Sequence, residues 1–128
     1  MKQFTLPMAE RLYLRSAVSD LFAHGQSFMV FPYRVTFRIL PADDPQPAQV
    51  AIMTIAPKKR FKHAVDRNHI KRLTREAYRL QKLPLIAHCQ ERGIKLDVAF
   101  VYSDNKHITF DDARRRIYKA IMMLINKC

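Results

Sequence analysis

The sequence predicts an α+β fold: a small mixed four-stranded sheet with helices packed on one face. Three observations lead there. Residues 33–40 alternate apolar and polar, the period of a half-buried strand. Short β-branched or apolar runs recur at 49–55 and 96–102. Two longer stretches, near 66–81 and 110–126, carry apolar residues at helical spacing. The 128 residues make one domain, 1–128, with no room for a separate catalytic module.

Residues 15–24 read as a short helix, with Gly25 where a helix end favours a left-handed residue. Residues 27–31 form a first strand, and Pro32, which cannot donate to a ladder, marks a bend or an edge. In the second strand Tyr33, Val35, Phe37 and Ile39 share a face, and alternation puts Phe31 with Tyr33. Three prolines and two aspartates among residues 41–47 make a loop. The third strand, 49–55, leads to the long helix, which Pro84 interrupts; a short helix follows and Gly93 closes it. The fourth strand is 96–102. Thr109 caps the last helix, Asp112 offers a weak capping box, and the stripe Phe110, Ala113, Ile117, Ile121 and Leu124 faces inward.

The net charge of +12 calls for a polyanion or an anionic surface as partner. No stretch is long and apolar enough to span a membrane, and the N-terminus has no apolar run for export, so a cytoplasmic protein is expected. Cys89 and Cys128 have no metal-ligand spacing and read as reduced thiols. Two glycines are too few for a glycine-rich phosphate loop.

The charge is local. Between Lys58 and Lys82 ten basic residues face only Asp66 and Glu76, a net +8. At about 100° per residue, Arg67, Lys71, Arg75, Asn68, Arg79 and Arg72 fall within about 140° of arc. Ile70, Leu73, Ala77 and Leu80 fall within about 80° on the other side. Like charges one turn apart destabilise a lone helix by about 0.2–0.5 kcal/mol per pair, a cost that solubility does not explain and a phosphate backbone does. The composition alone favours neither RNA nor DNA; a helix meeting folded RNA would work mainly through phosphates, 2′-hydroxyls and shape. A catalytic site is not expected: Asp43 and Asp44 have no histidine beside them, Asp111 and Asp112 suit a helix N-terminus, and the five histidines lack ligand spacing.

The string APKKRFKHAVDRNHIKRLTREAYR, residues 56–79, resembles the signature of the bacterial ribonuclease P protein subunit. Ala64, Val65, Arg67, Asn68, Lys71, Arg72, Arg75 and Glu76 match its pattern, and His69 stands where the core has a second arginine. Residues 11–12 and 21–25 are similar to the family's N-terminal element, with Val18 where an aromatic is frequent. The resemblance implies a ribosomal-protein-like sandwich with a left-handed βαβ crossover. It also implies a subunit of a tRNA 5′-processing endoribonuclease, with catalysis and Mg²⁺ belonging to the RNA subunit and the protein a monomer in the particle. Lys59, Arg60, Lys62, Arg67, Asn68, His69, Lys71, Arg72, Arg75 and Arg79 would then bind ribonuclease P RNA. Phe22, Phe31, Tyr33, Arg34 and Lys58 would bind the single-stranded leader of precursor tRNA, where rings stack bases. The alternative is a non-enzymatic ribosomal or RNA-chaperone protein.

Overall fold

A computed structural model describes residues 6, 8–12 and 15–128. Its sheet is built on the pairing of two nine-residue strands, β2 (Tyr33–Pro41) and β4 (Ile94–Tyr102), antiparallel and in register from Tyr33↔Tyr102 to Pro41↔Ile94. β1 (Gln26–Val30) forms a hairpin with β2, and β3 (Val50–Ile55) lies parallel to β4, giving the order β1-β2-β4-β3. The described residues also form four α-helices: α1 (Arg15–His24), α2 (Ala64–Gln81), α3 (Leu83–Arg92) and α4 (Phe110–Lys127). A 3-10 turn, Met8–Glu10, precedes them.

The sheet is covered on both faces, where the sequence predicts helices on one. Val35, Phe37, Ile52, Val98 and Phe100 join α2, α3 and α4 in the main core. The alternate residues of β3 and β4, Ala51 and Ala99, pack with Leu21 of α1 and Leu12 in a smaller one. Small side chains at 51 and 99 let α1 approach this face closely.

The predicted inward stripe of α4 holds: Ala113, Ile117, Ile121 and Leu124 are buried and Phe110 packs at its edge. Thr109 Oγ1 accepts from the Asp112 amide at 3.2 Å, while the Asp112 carboxylate pairs with Arg115 instead of closing the box. α2 sits differently. Its buried residues are Ile70, Thr74, Ala77 and Tyr78, with Leu80 exposed. The buried arc is turned by about 60° from the predicted one, toward Arg67 and Lys71. Lys82, counted from sequence with the basic segment, is buried at the α2–α3 junction and binds Glu10 at 2.8 Å. Pro84 falls in the first turn of α3, where its missing N–H costs nothing.

The two glycines have different duties. Gly93 takes the left-handed conformation, with φ 66°, and caps α3. Gly25, expected to be left-handed, is not; a Cβ there would lie 2.3 Å from the Leu21 carbonyl oxygen and 2.8 Å from that of Phe37. Gly93→Ala is therefore expected to cost about 1–2 kcal/mol, the penalty of a left-handed L-residue in open space. Gly25→Ala should cost more, because backbone atoms must shift. Urea unfolding of the two variants in parallel checks the order, and a smaller loss at Gly25 would contradict it.

Candidate nucleic-acid interface

The interface begins where β3 ends. The Pro57 carbonyl accepts from the Arg60 amide at 3.0 Å, turning the chain. Phe61 plugs into the core, its ring 5.9 Å from Tyr102 and 5.0 Å, edge-on, from His107. With that anchor buried, Lys58, Lys59 and Lys62 stay exposed, and half-buried Arg60 donates to Asn105 Oδ1 at 3.4 Å. Arg67, in the first turn of α2, reaches back and donates to the carbonyls of Phe61 (2.8 Å) and Lys62 (3.0 Å). One guanidinium supplies both donors in a fixed plane. Arg67 thus shapes the basic turn from within the protein.

Beyond it, Asn68, His69 and Arg72 are exposed, and Lys71, Arg75 and Arg79 are half-buried. Arg75 donates to Thr54 Oγ1 at 3.4 Å. Burial, then the charges of Arg11 and Arg72, lower its pKa from the usual arginine value. The penalty of keeping these cations together is relieved by an anion placed among them. Arg79 forks onto Glu76 at 3.1 and 2.7 Å and lowers the Glu76 pKa chiefly through that bond. The sequence reading missed Arg11, which lines a groove with Lys71 and Arg75, and His107. The His107 ring lies 6.1 Å from that of His69, and its Nε2 is 3.4 Å from Asp66. Helical spacing has no signal for either, because both come from distant segments.

The residues expected to meet a single strand divide. Phe22 is 47 % exposed and Phe31 60 %, and Arg34 and Lys58 are also exposed. The register brings the β1–β2 turn, the start of β2 and the ends of β3 and β4 to one end of the sheet, so Phe31, Arg34 and Lys58 share that end. Tyr33 is excluded as a stacking platform. It is fully buried, its hydroxyl 2.8 Å from Thr74 Oγ1, and burial pushes its pKa up to about 12 despite that bond. Phe31 and Tyr33 do not share a face, because Val30 pairs with Tyr33 and the intervening turn resets the alternation.

At the other end of the sheet, under α1, lies a cavity of about 390 Å³ whose charged lining is Asp20, Asp44 and Asp97 with Arg11 and Arg38. Arg38 pairs with Asp20 at 3.7 Å and faces Asp97 in the β2–β4 register. Asp97 is buried with Oδ1 unpartnered, and burial, reinforced by Asp44, pushes its pKa up to about 6 against the opposing pull of Arg38 and Gln46. The sheet thus carries exposed Arg34 and Lys58 near one end and, at the other, a cavity in which three aspartates meet two arginines.

A family model described as Ribonuclease P matches residues 6–124. A ribonuclease P protein component of Porphyromonas gingivalis is 37% identical over 121 residues, covering 94% of this chain and 87% of that protein. One from Chlorobaculum tepidum is 40% identical over 81 residues, covering 60% of this chain and 51% of that protein. In fold, the chain is similar to the Staphylococcus aureus RNase P protein, with TM-score 0.68 at 16% identity, covering 89% and 94% of the two chains. The Thermotoga maritima RNase P protein gives TM-score 0.68 at 21% identity, with 89% and 96% covered.

A carboxyl whose folded pKa exceeds its unfolded one binds its proton more tightly when folded. The Asp97 contribution therefore favours the folded state below about pH 4 and is lost as pH rises through about 6. Urea unfolding across pH 4–8 should show this loss, on the order of 1–3 kcal/mol, and Asp97→Asn should flatten that part of the profile. The same slope in the variant would place the titration elsewhere.

Proposed function

The chain belongs to the ribonuclease P protein family, and on that premise we propose that its basic turn and α2 bind the RNA subunit while the end of the sheet that carries Phe31, Arg34 and Lys58 takes the precursor tRNA leader. It is the protein subunit of ribonuclease P, acting in tRNA 5′ processing. One observation carries the division of labour. Seven of the twelve units of net charge lie on a turn held by Phe61 and Arg67 and on the helix that follows, with Asn68, His69 and Arg72 facing outward.

In this reading Asn68, Lys71, Arg72 and Arg75 contact RNA phosphates and 2′-hydroxyls, with Lys59, Arg60 and Lys62 extending the surface. His69 adds a polar contact. Arg67 and Arg79 have internal partners, so their main service is to position the turn and α2. Phe22 and Phe31 offer rings to unpaired leader bases, and Arg34 and Lys58 meet the phosphates.

Among the described residues no three His, Cys, Asp or Glu side chains converge to hold a metal ion. Following the resemblance, we place the Mg²⁺ ions and the hydrolytic step in the RNA subunit. No helix among the described residues is long and apolar enough to cross a membrane. The reading includes one protein copy per particle and a cytoplasmic setting.

Reconstitution with a bacterial ribonuclease P RNA at low magnesium should restore leader removal. Arg72→Ala should weaken RNA-subunit binding and lower its salt slope by about one unit, the loss of one phosphate contact. Phe31→Ala should instead reduce the preference for precursor over mature tRNA. Recovery of ribosomal RNA alone from cells would sink the assignment in favour of a ribosomal or chaperone role.

A further inference from the structure

The net charge is confined to two places. Residues 58–82 carry +8 and residues 110–128 carry +3, from five basic and two acidic side chains; residues 1–57 carry +1 and residues 83–109 are neutral. The second seat is α4, which packs beside α2 on the same side of the sheet. Both of its acids, Asp111 and Asp112, lie in the first turn, where the cap and the helix dipole account for them. From Ala113 to Cys128 there is no acid at all, and Arg114, Arg115 and Arg116 follow one another.

The same face carries a ring. Tyr33, Tyr78 and Tyr102 are buried, whereas Tyr118 is 52 % exposed, one helical turn beyond Arg114. Gln81 at the end of α2 donates to the Arg114 carbonyl at 2.9 Å and to the Ala77 carbonyl at 2.9 Å, which ties the two helices together. Gln81, Arg114, Arg115 and Tyr118 line a groove at that junction. Arg115 is held by Asp112 alone, a pair with both side chains largely in solvent, and such a pair yields readily to a phosphate. A solubilising face would mix signs and hide the ring. Guanidinium groups flanking an exposed aromatic suit a nucleotide, with phosphate on the arginines and base on the ring.

We propose that this groove is a second contact for the RNA subunit, in which Tyr118 stacks an unpaired base and Arg114 and Arg115 hold its flanking phosphates. The proposal rests on the reading above, that α2 binds that RNA. Binding of the full-length protein to a bacterial ribonuclease P RNA, measured as a function of salt, tests both. Tyr118→Ala should weaken binding by about fivefold to a hundredfold, with Tyr118→Phe close to the parent. Arg114→Gln combined with Arg115→Gln should lower the salt slope by about one to two units. Thermal unfolding followed by circular dichroism confirms that each variant is folded. Parent-like affinity and slope in the α4 variants, with a loss in Arg72→Ala, overturn the groove and leave the α2 interface standing. Parent-like behaviour of Arg72→Ala as well removes the premise. A loss confined to precursor tRNA binding by the assembled particle overturns the RNA-subunit assignment.

Discussion

The roll of α2 about its own axis depends on one buried hydrogen bond, between the Tyr33 hydroxyl and Thr74 Oγ1 at 2.8 Å. Tyr33 has no access to water, so its hydroxyl must find a partner inside, and an unpaired one would cost about 1–3 kcal/mol. Thr74 spends its own proton on the Ile70 carbonyl, 2.9 Å away, and therefore accepts from Tyr33. That bond draws Thr74, and with it Tyr78, to the inside of α2. Leu80 is turned out to solvent, while Arg67 and Lys71 come to the edge of the core. The face left pointing outward carries Asn68, His69 and Arg72.

The roll also explains why the basic residues are not equivalent. An arginine at the core edge is near carbonyls that need donors, and Arg67 supplies two of them. The turn it braces holds Lys58, Lys59 and Lys62 out to solvent without an acid among them. Exposed cations so placed keep their long side chains mobile until an anion arrives, and they contribute through charge more than through shape. Charge in this protein is therefore divided between positioning and presentation.

Most of the fold was legible in the sequence, because period-2 and period-3.6 patterns report burial directly. Residues 33–40 and the α4 stripe correspond closely to β2 and to the inner face of α4. What the patterns could not convey was polar burial. Thr74 and Tyr78 do not count as apolar in a helical wheel, so the inferred inner arc of α2 fell on Leu73 and Leu80. Lys82 read as one more surface cation, since its partner Glu10 lies 72 residues away. Tyr33 and Phe31 looked equivalent until the register showed a turn between them. The basic segment is visible in the sequence alone, because local charge density needs no tertiary knowledge; the placing of Arg11 and His107 beside it needs the fold.

The N-terminal segment shows how one stretch serves stability and the interface together. β3 is an edge strand, and its free side would offer unpaired backbone groups beside the basic helix α2. Arg11 bridges to Ile52 in parallel, and the Leu12 amide donates to the Ile52 carbonyl at 2.7 Å, which covers that edge. Leu6 is buried in the main core, and Glu10 is bound to buried Lys82. That buried ion pair, 2.8 Å long, ties the segment to the α2–α3 junction. Arg11 Nε donates to the Leu6 carbonyl at 3.1 Å, and the side chain lines a groove with Lys71 and Arg75, where its charge helps lower the Arg75 pKa. The contacts that close the sheet edge therefore also hold three cations together, a repulsion that the fold sustains through apolar and ionic anchors elsewhere and that a phosphate relieves.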